Sequence, residues 1–369
     1  MNKALAARTG VAAPVKNHCL PRELLICSLG CCVPFISCKK ESPIAPSIAK
    51  DPRTYTWTVD TIDYPGRFEL IMRELYGSSA HDIYVVGHNA ENKWKMLHYD
   101  GTAWSPVALT PSEGGPIPGT IDLLAVDGIG SNNIWAVGDE IHYNPITRQF
   151  SDSSLVIHYD GVSWRKVPIE RGRSLQAVTA FRSDFVLAGG INGTCYEFDG
   201  SSWTLVHADT MFWFSNFGTD GQNIFGLAYT PSTVTHNYEI IYQLEWVDST
   251  WRILDSTSIT SSSSARFGHE EIKRIGEGTY SVGYGIFEQV GDGWERVAGL
   301  NGEFGRISGT KRDHIFVVGW TVLYHDSQGW VQLDVPGENT WGLSGVWCSE
   351  DEVFIVGSNG GCSFIIHGK

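Results

Sequence analysis

The sequence predicts an all-β protein: a seven-bladed β-propeller of four-stranded antiparallel blades, closed by an N-terminal strand that completes the last blade. Three observations carry this expectation. A hexapeptide, ending in glycine in six of its copies, recurs seven times; an Asp-Gly turn followed by tryptophan, or a degenerate form of it, trails the first six copies; and the tryptophan strand missing after the seventh copy sits at the other end of the body. Composition agrees, since 14 Trp, 41 Gly and only 18% charged residues in 369 suit a chain of strands and turns better than one of helices.

The hexapeptide reads Asp82-Ile83-Tyr84-Val85-Val86-Gly87, then Asn133-Ile134-Trp135-Ala136-Val137-Gly138 and Asp184-Phe185-Val186-Leu187-Ala188-Gly189. Weaker copies end at Ala228 and Gly283, and clear ones at Gly319 and Gly357. The second element is His98-Tyr99-Asp100-Gly101-Thr102-Ala103-Trp104, repeated at 158–164 and, less strictly, ending at Trp203, Trp251, Trp294 and Trp330. Asp-Gly between two apolar runs is a hairpin signal, because the turn needs residues that accept positive φ. A third apolar stretch precedes each unit, such as Leu123-Leu124-Ala125-Val126. Each unit therefore holds four short strands, a to d, with strand b ending in glycine, c in the Asp-Gly turn, and d opening on tryptophan. Units of this size cannot bury both faces alone, so neighbours must stack and the ring must close. The seventh unit lacks strand d, and Tyr55-Thr56-Trp57-Thr58-Val59 matches that strand, so residues 54–60 are expected to complete the last blade.

The N-terminus predicts export. Lys3, Arg8, Lys16 and Arg22 precede an apolar run over 24–37, too short to span a bilayer but suited to a signal peptide, and Phe35-Ile36-Ser37-Cys38 resembles a lipobox. The expected division is 1–37 signal peptide, 38–53 tether beginning at a lipidated Cys38, and 54–369 propeller, with membrane attachment only through the lipid. Three scattered body cysteines, Cys195, Cys348 and Cys362, make neither a disulfide framework nor a zinc pattern, and no metal or other cofactor is expected. A net charge of −14 argues against nucleic acid as a partner.

These repeats resemble those of secreted bacterial seven-bladed propeller lipoproteins, D-[IVF]-[aromatic]-x-V-G … H-Y-D-G-x-x-W, within the wider company of WD40-, YVTN- and BNR-like propellers and distantly of photosystem assembly-factor propellers. The resemblance spans 54–369 and implies architecture; members of that group share no common activity. The Cys-Lys-Lys-Glu start is similar to lipoproteins of Gram-negative bacteria, some of which reach the cell surface, which implies the outer membrane or the cell surface.

In such a blade the b–c loops and the d-to-a crossovers open on one face, and the a–b and c–d turns on the other. The long segments 110–120, 139–153, 229–237 and 255–268 all belong to the first face, and extended loops on a rigid body commonly carry function. Large aromatic residues there are the binding candidates: Trp94 and Trp320 in b–c loops, Phe212, Trp213 and Phe214 entering the fourth blade, and Trp341 entering the seventh. His98 and His158 recur at one blade position, so the fold holds them apart, and they read as scaffold. No nucleophile elbow, phosphate loop or zinc-protease motif is present. The expectation is a non-enzymatic, monomeric envelope propeller that binds a protein or glycan through the long-loop face. The alternative is a glycan-active hydrolase or lyase in the central funnel. Acids and arginines converging at the funnel mouth would favour the enzyme, and an aromatic, charge-poor patch the binder.

Overall fold

The computed structural model describes residues 50–62, 69–170, 172–208, 211–231, 238–258, 265–297, 299–300, 302–336, 342–359 and 362–369. Cys38, the expected signal peptide and Trp341 lie outside these. The strands form seven four-stranded antiparallel sheets. Strand β1 (Trp57–Ile62) belongs to the last of them. Blade 1 is β2–β5 (Leu70–Ser79, Asp82–Asn89, Met96–Tyr99, Trp104–Pro106), and blade 2 is β6–β9 (Thr120–Gly128, Ile134–Asn144, Gln149–Tyr159, Trp164–Lys166). Blade 3 is β10–β13 (Leu175–Arg182, Phe185–Gly190, Cys195–Phe198, Trp203–His207), and blade 4 is β14–β17 (Trp213–Thr219, Ile224–Pro231, Tyr238–Val247, Thr250–Ser258). Blade 5 is β18–β21 (Glu271–Ile275, Gly278–Gly283, Gly285–Val290, Gly293–Arg296), and blade 6 is β22–β25 (Phe304–Lys311, His314–Gly319, Val322–Asp326, Gly329–Leu333). Blade 7 is β26–β28 (Gly342–Cys348, Val353–Asn359, Cys362–Gly368) completed by β1.

Closure follows the expectation. Strand β1 pairs antiparallel with β28 from Trp57↔Gly368 to Ile62↔Ser363, and the innermost strands touch in succession until β26 meets β2. The seam extends upstream of the strand. Arg53 pairs with Asp326 of blade 6 at 2.7 Å, Lys50 Nζ donates to the Lys369 carbonyl at 2.8 Å, and Pro52 and Tyr55 are buried. Residues 50–53, read from sequence as the end of a tether, are thus bound to the body, because a proline turn carries their side chains onto blades 6 and 7.

The core is seven interfaces. Strand b alternates its side chains between two neighbours: Ile83 and Val85 pack toward blade 7, Tyr84 and Val86 toward blade 2. Both faces of the strand are covered, so it reads as a continuous apolar run rather than an alternating one. The repeated histidine has a fixed task. His98 stacks on Tyr84 with ring centroids 4.3 Å apart and places Nε2 2.7 Å from Asp82 Oδ1. His158 does the same with Trp135 and Asn133, and His367 with Phe354 and Glu352. These residues tie strand c to the start of strand b, blade by blade. In the c–d turn, Asp100 Oδ1 accepts from the amides of Thr102 at 2.8 Å and Ala103 at 3.0 Å while Gly101 sits at φ +90°.

One long segment differs from the sequence reading. Residues 139–153 are no loop: β7 and β8 pair without a break from Ile134↔Tyr159 to Asn144↔Gln149. The ladder continues because Ile141, Tyr143 and Phe150 favour extended backbone, and Asn144 Oδ1 folds the tip by accepting from the amides of Ile146 at 2.9 Å and Thr147 at 3.2 Å. Among the described residues no helix is long and apolar enough to cross a membrane.

Candidate ligand-binding face

All seven innermost strands line a central channel with a cavity of about 290 Å³. The inner edge of each blade presents backbone amides that need acceptors. Side chains from the preceding blade supply several of them. Glu74 accepts from the Val126 amide at 3.1 Å, Asp127 from Ala180 at 2.8 Å, Asn216 from Ile272 at 3.2 Å, Glu271 from Ile307 at 2.7 Å, and Ser308 from Cys348 at 3.2 Å. Polar residues in the channel wall thereby lock blade to blade. Burial pushes the Glu74 carboxyl up to about 7 against the pull of Arg306, whose Nε lies 3.9 Å from it. Burial works against the Lys273 charge, but Glu271 and Asp127 outweigh it and hold that ammonium above its usual range.

The channel widens into a mouth of about 540 Å³ at the starts of the innermost strands, on the face of the b–c connections. A repeated irregularity shapes it. In six blades the pairing of strands a and b skips one residue, at Arg73, Leu124, Gln176, Ser215, Gly305 and Ser344. All six line the mouth. A β-bulge leaves one residue unpaired and re-aims its side chain, and here it does so around a ring. The bulge also explains the glycine that ends strand b. A Cβ on Gly87 would lie 2.1 Å from the Ile71 carbonyl oxygen, and on Gly138 2.0 Å from that of Asp122.

Charge and aromatic surface meet at this mouth. Arg73 and Glu303 are exposed, and Arg73 has no salt bridge among the described residues. Arg306 reaches Glu270 at 3.8 Å, and His269 Nε2 lies 3.3 Å from the other side of that carboxylate. Burial alone would raise Glu270, but the His269 hydrogen bond and the charges of His269 and Arg306 hold it below the usual carboxylate range. Trp320, 63% exposed, lines the rim.

Of the aromatic candidates, Trp320 is the one the structure brings to the mouth as an exposed ring. Phe212 is only 5% exposed and packs edge-on to Tyr242 at 5.0 Å in the blade 3–blade 4 interface, and Phe214 is fully buried there. Both are core, because this crossover turns inward to start β14. Trp213 opens β14 half-buried beside Tyr229 and the blade 4–blade 5 core. Trp94 is half-buried against the blade 7–blade 1 core, with φ +53° and its amide donating to Glu113 Oε1 at 2.7 Å. The sequence reading missed Arg73, Glu270 and Glu303, and found nothing in the placement of Arg306 that demanded a site. Only Arg73 carried a signal, as the bulged residue that follows Met72, the partner of the strand-b glycine Gly87. It also missed Tyr143, Ile146 and Phe150, exposed by 53%, 91% and 73% at the hairpin tip. No group of His, Cys, Asp and Glu among the described residues is arranged to hold a metal ion.

Fold and mouth together define a seven-bladed propeller with a charged, aromatic-rimmed funnel. No protein-family model and no curated protein matches the chain. Solved structures do. YCF48 bound to D1 peptide superposes with a TM-score of 0.56 at 16% identity, covering 87% of this chain and 98% of that one. YCF48 from Cyanidioschyzon merolae gives 0.53 at 14%, covering 84% and 98%, and the WD40 β-propeller domain of Doa1 gives 0.51 at 10%, covering 84% and 96%. At these identities the similarity speaks for the fold alone.

Proposed function

We propose that this chain is a non-enzymatic binding propeller of the cell envelope, held through Cys38, that captures a polypeptide at the funnel mouth. The observation that carries the reading is the ring of bulged residues, with Trp320 on its rim. Six blades each spend a backbone irregularity on turning one residue into a single cavity. The mouth is charged rather than charge-poor, the outcome that by the sequence criterion favours an enzyme, and a polar ligand there would meet Arg73 of blade 1 and Glu303 at the start of blade 6, two blades apart around the ring. A similar fold in YCF48 has been solved with a bound peptide, which supports a peptide ligand here. Lys50, the first described residue, lies on the opposite face beside Asp351 in the turn before β27.

The enzyme reading draws on the same charges and on Glu74, which titrates near neutrality in the channel. Against it, Glu74 is engaged as a blade-to-blade acceptor, and Glu270 is shifted in the wrong direction for a general acid. Two tests separate the possibilities. Linear 12-residue peptides selected on the intact body should lose at least tenfold in affinity with Trp320→Ala or Arg73→Ala, with no change in the urea midpoint. Equal binding by both variants would remove the mouth from the account, and binding of oligosaccharides but no peptide would make the ligand a glycan. Cys38→Ser should release the protein from membranes, and continued retention would defeat the anchor.

A further inference from the structure

The β7–β8 hairpin ends in an apolar tip that the propeller does not use. Tyr143 and Phe150 face each other across the ladder with ring centroids 4.9 Å apart, and Ile146 caps the turn. Side chains two residues apart on a strand share a face, so Tyr143 and Phe150 stand on the same side as Asp139 and Asp152. That side is turned toward blade 3. Asp139 Oδ1 accepts from the Ser174 hydroxyl at 3.2 Å, Asp152 Oδ2 from the Ser174 amide at 3.2 Å, and Arg173 pairs with Asp152 at 3.3 Å. Two residues beyond Ser174 is Gln176, the bulged residue that blade 3 contributes to the mouth. Gln176 at the mouth, the exposed Arg173, Asp152 and the aromatic pair thus follow one another along this side of the hairpin. Four ladder positions separate Asp139 from Tyr143, about 14 Å at the usual rise per residue.

Four occupants could cover the tip. Two copies joined tip to tip would cover roughly 400 Å² on each, about 800 Å² in all, short of the ~1,200 Å² that stable association needs. The chain's own N-terminal segment joins the body at Lys50, beside Asp351 of blade 7 on the opposite face, away from the blade 2 hairpin. A lipid surface fits poorly with a chain of net charge −14. The occupant that the continuity favours is the ligand of the mouth itself.

We infer that the hairpin tip is the second half of the binding site: the ligand is an extended polypeptide that leaves the mouth across blade 3 and lays apolar side chains on Tyr143 and Phe150. This rests on the reading of the mouth as a peptide site, and the experiment keeps the two apart. Random 12-residue peptides displayed on phage are selected on the intact body, and the affinity of the winning synthetic peptide is measured for the wild type, for Trp320→Ala, and for the double variant Tyr143→Ser/Phe150→Ser. Both positions are exposed, so the double variant should keep its urea midpoint. It should bind at least tenfold more weakly, and shortening the peptide at the end distal to the mouth should cost the wild type the same factor and the double variant nothing. A peptide weakened by Trp320→Ala but indifferent to the double variant overturns the inference and leaves the mouth standing. Failure to select any peptide overturns both. Co-sedimentation with vesicles of phosphatidylethanolamine and phosphatidylglycerol that the double variant abolishes would assign the tip to a membrane instead, and a wild-type dimer that the double variant dissolves would assign it to a second copy.

Discussion

Replacing Gly87 by alanine tests the bulged geometry at its tightest point. The added methyl would lie 2.1 Å from the Ile71 carbonyl oxygen and 2.7 Å from the Met72 Cα. Non-bonded heavy atoms settle about 3.5 Å apart, so strand a would have to retreat by more than ~1 Å while the Val86 and Met72 side chains on either side stay fully buried. Overfilling a packed site typically costs about 1–3 kcal/mol. Here the obstacle is backbone on both sides, which places the substitution at about 3 kcal/mol. With a urea dependence near ~3 kcal/mol per molar, the midpoint followed by tryptophan fluorescence should fall by about 1 M. Gly342→Ala is the control: it opens the innermost strand of blade 7, its Cβ would have nothing within 4 Å, and its φ lies outside the left-handed region. That variant should stay within about 0.5 kcal/mol of the wild type, as surface substitutions away from special features do. If Gly87→Ala proves as benign as Gly342→Ala, the close approach is wrong, and with it the physical reason for the repeated glycine.

Three further outcomes follow from the packing and the channel. Phe212→Ala should cost about 3–5 kcal/mol because a fully enclosed ring is removed, whereas Trp320→Ala should leave the urea midpoint unchanged; the opposite ranking would exchange their roles as core and rim. Glu74 binds its proton more tightly folded than unfolded, with about 7 against an ordinary 4.5. Its contribution is therefore present below pH 4.5 and lost as pH rises to about 7, at most about 3 kcal/mol. Urea titrations should show Glu74→Gln less sensitive to pH than the wild type across that window, and an identical slope would mean the carboxyl is better solvated than the channel wall implies. Deleting residues 50–62 removes β1, leaves the outer edge of β28 unpaired and exposes the blade 6–blade 7 seam, so the product should aggregate or lose cooperative unfolding on size-exclusion and urea assays. A monomer with an unchanged midpoint would contradict closure through β1.

Architecture was legible in the sequence because each blade repeats the same local chemistry. Asp100-Gly101 specifies its turn through a side-chain acceptor and a positive φ, and both act within four residues. The count of blades could be checked internally, since Trp57 supplied the strand that the seventh unit lacked. The site was less legible because burial is not a local property. Phe212 and Trp320 are both large aromatic residues in connections on the same face, and only the inward turn before β14 separates core from rim. Residues 139–153 carry Pro145 and several polar residues, which read as a loop; cross-strand pairing carried them on as a ladder. The mouth residues were hidden for a different reason. Arg73 and Ser215 share no residue type, only a position one step past a strand-a residue paired near the end of strand b, and a motif search looks for types rather than registers. The channel acids follow the same logic: Glu74, Asp127 and Glu271 look like scattered surface charges until neighbouring blades place backbone amides against them.

Hydrogen exchange of the intact body with and without its selected peptide tests the central claim most directly. The account predicts slowed exchange at 72–74, 303–306 and 318–320, the backbone around the mouth, with the turns at 79–82, 100–103 and 349–352 on the opposite face unaffected. Protection confined to those turns, with the mouth exchanging as in the free protein, would contradict it.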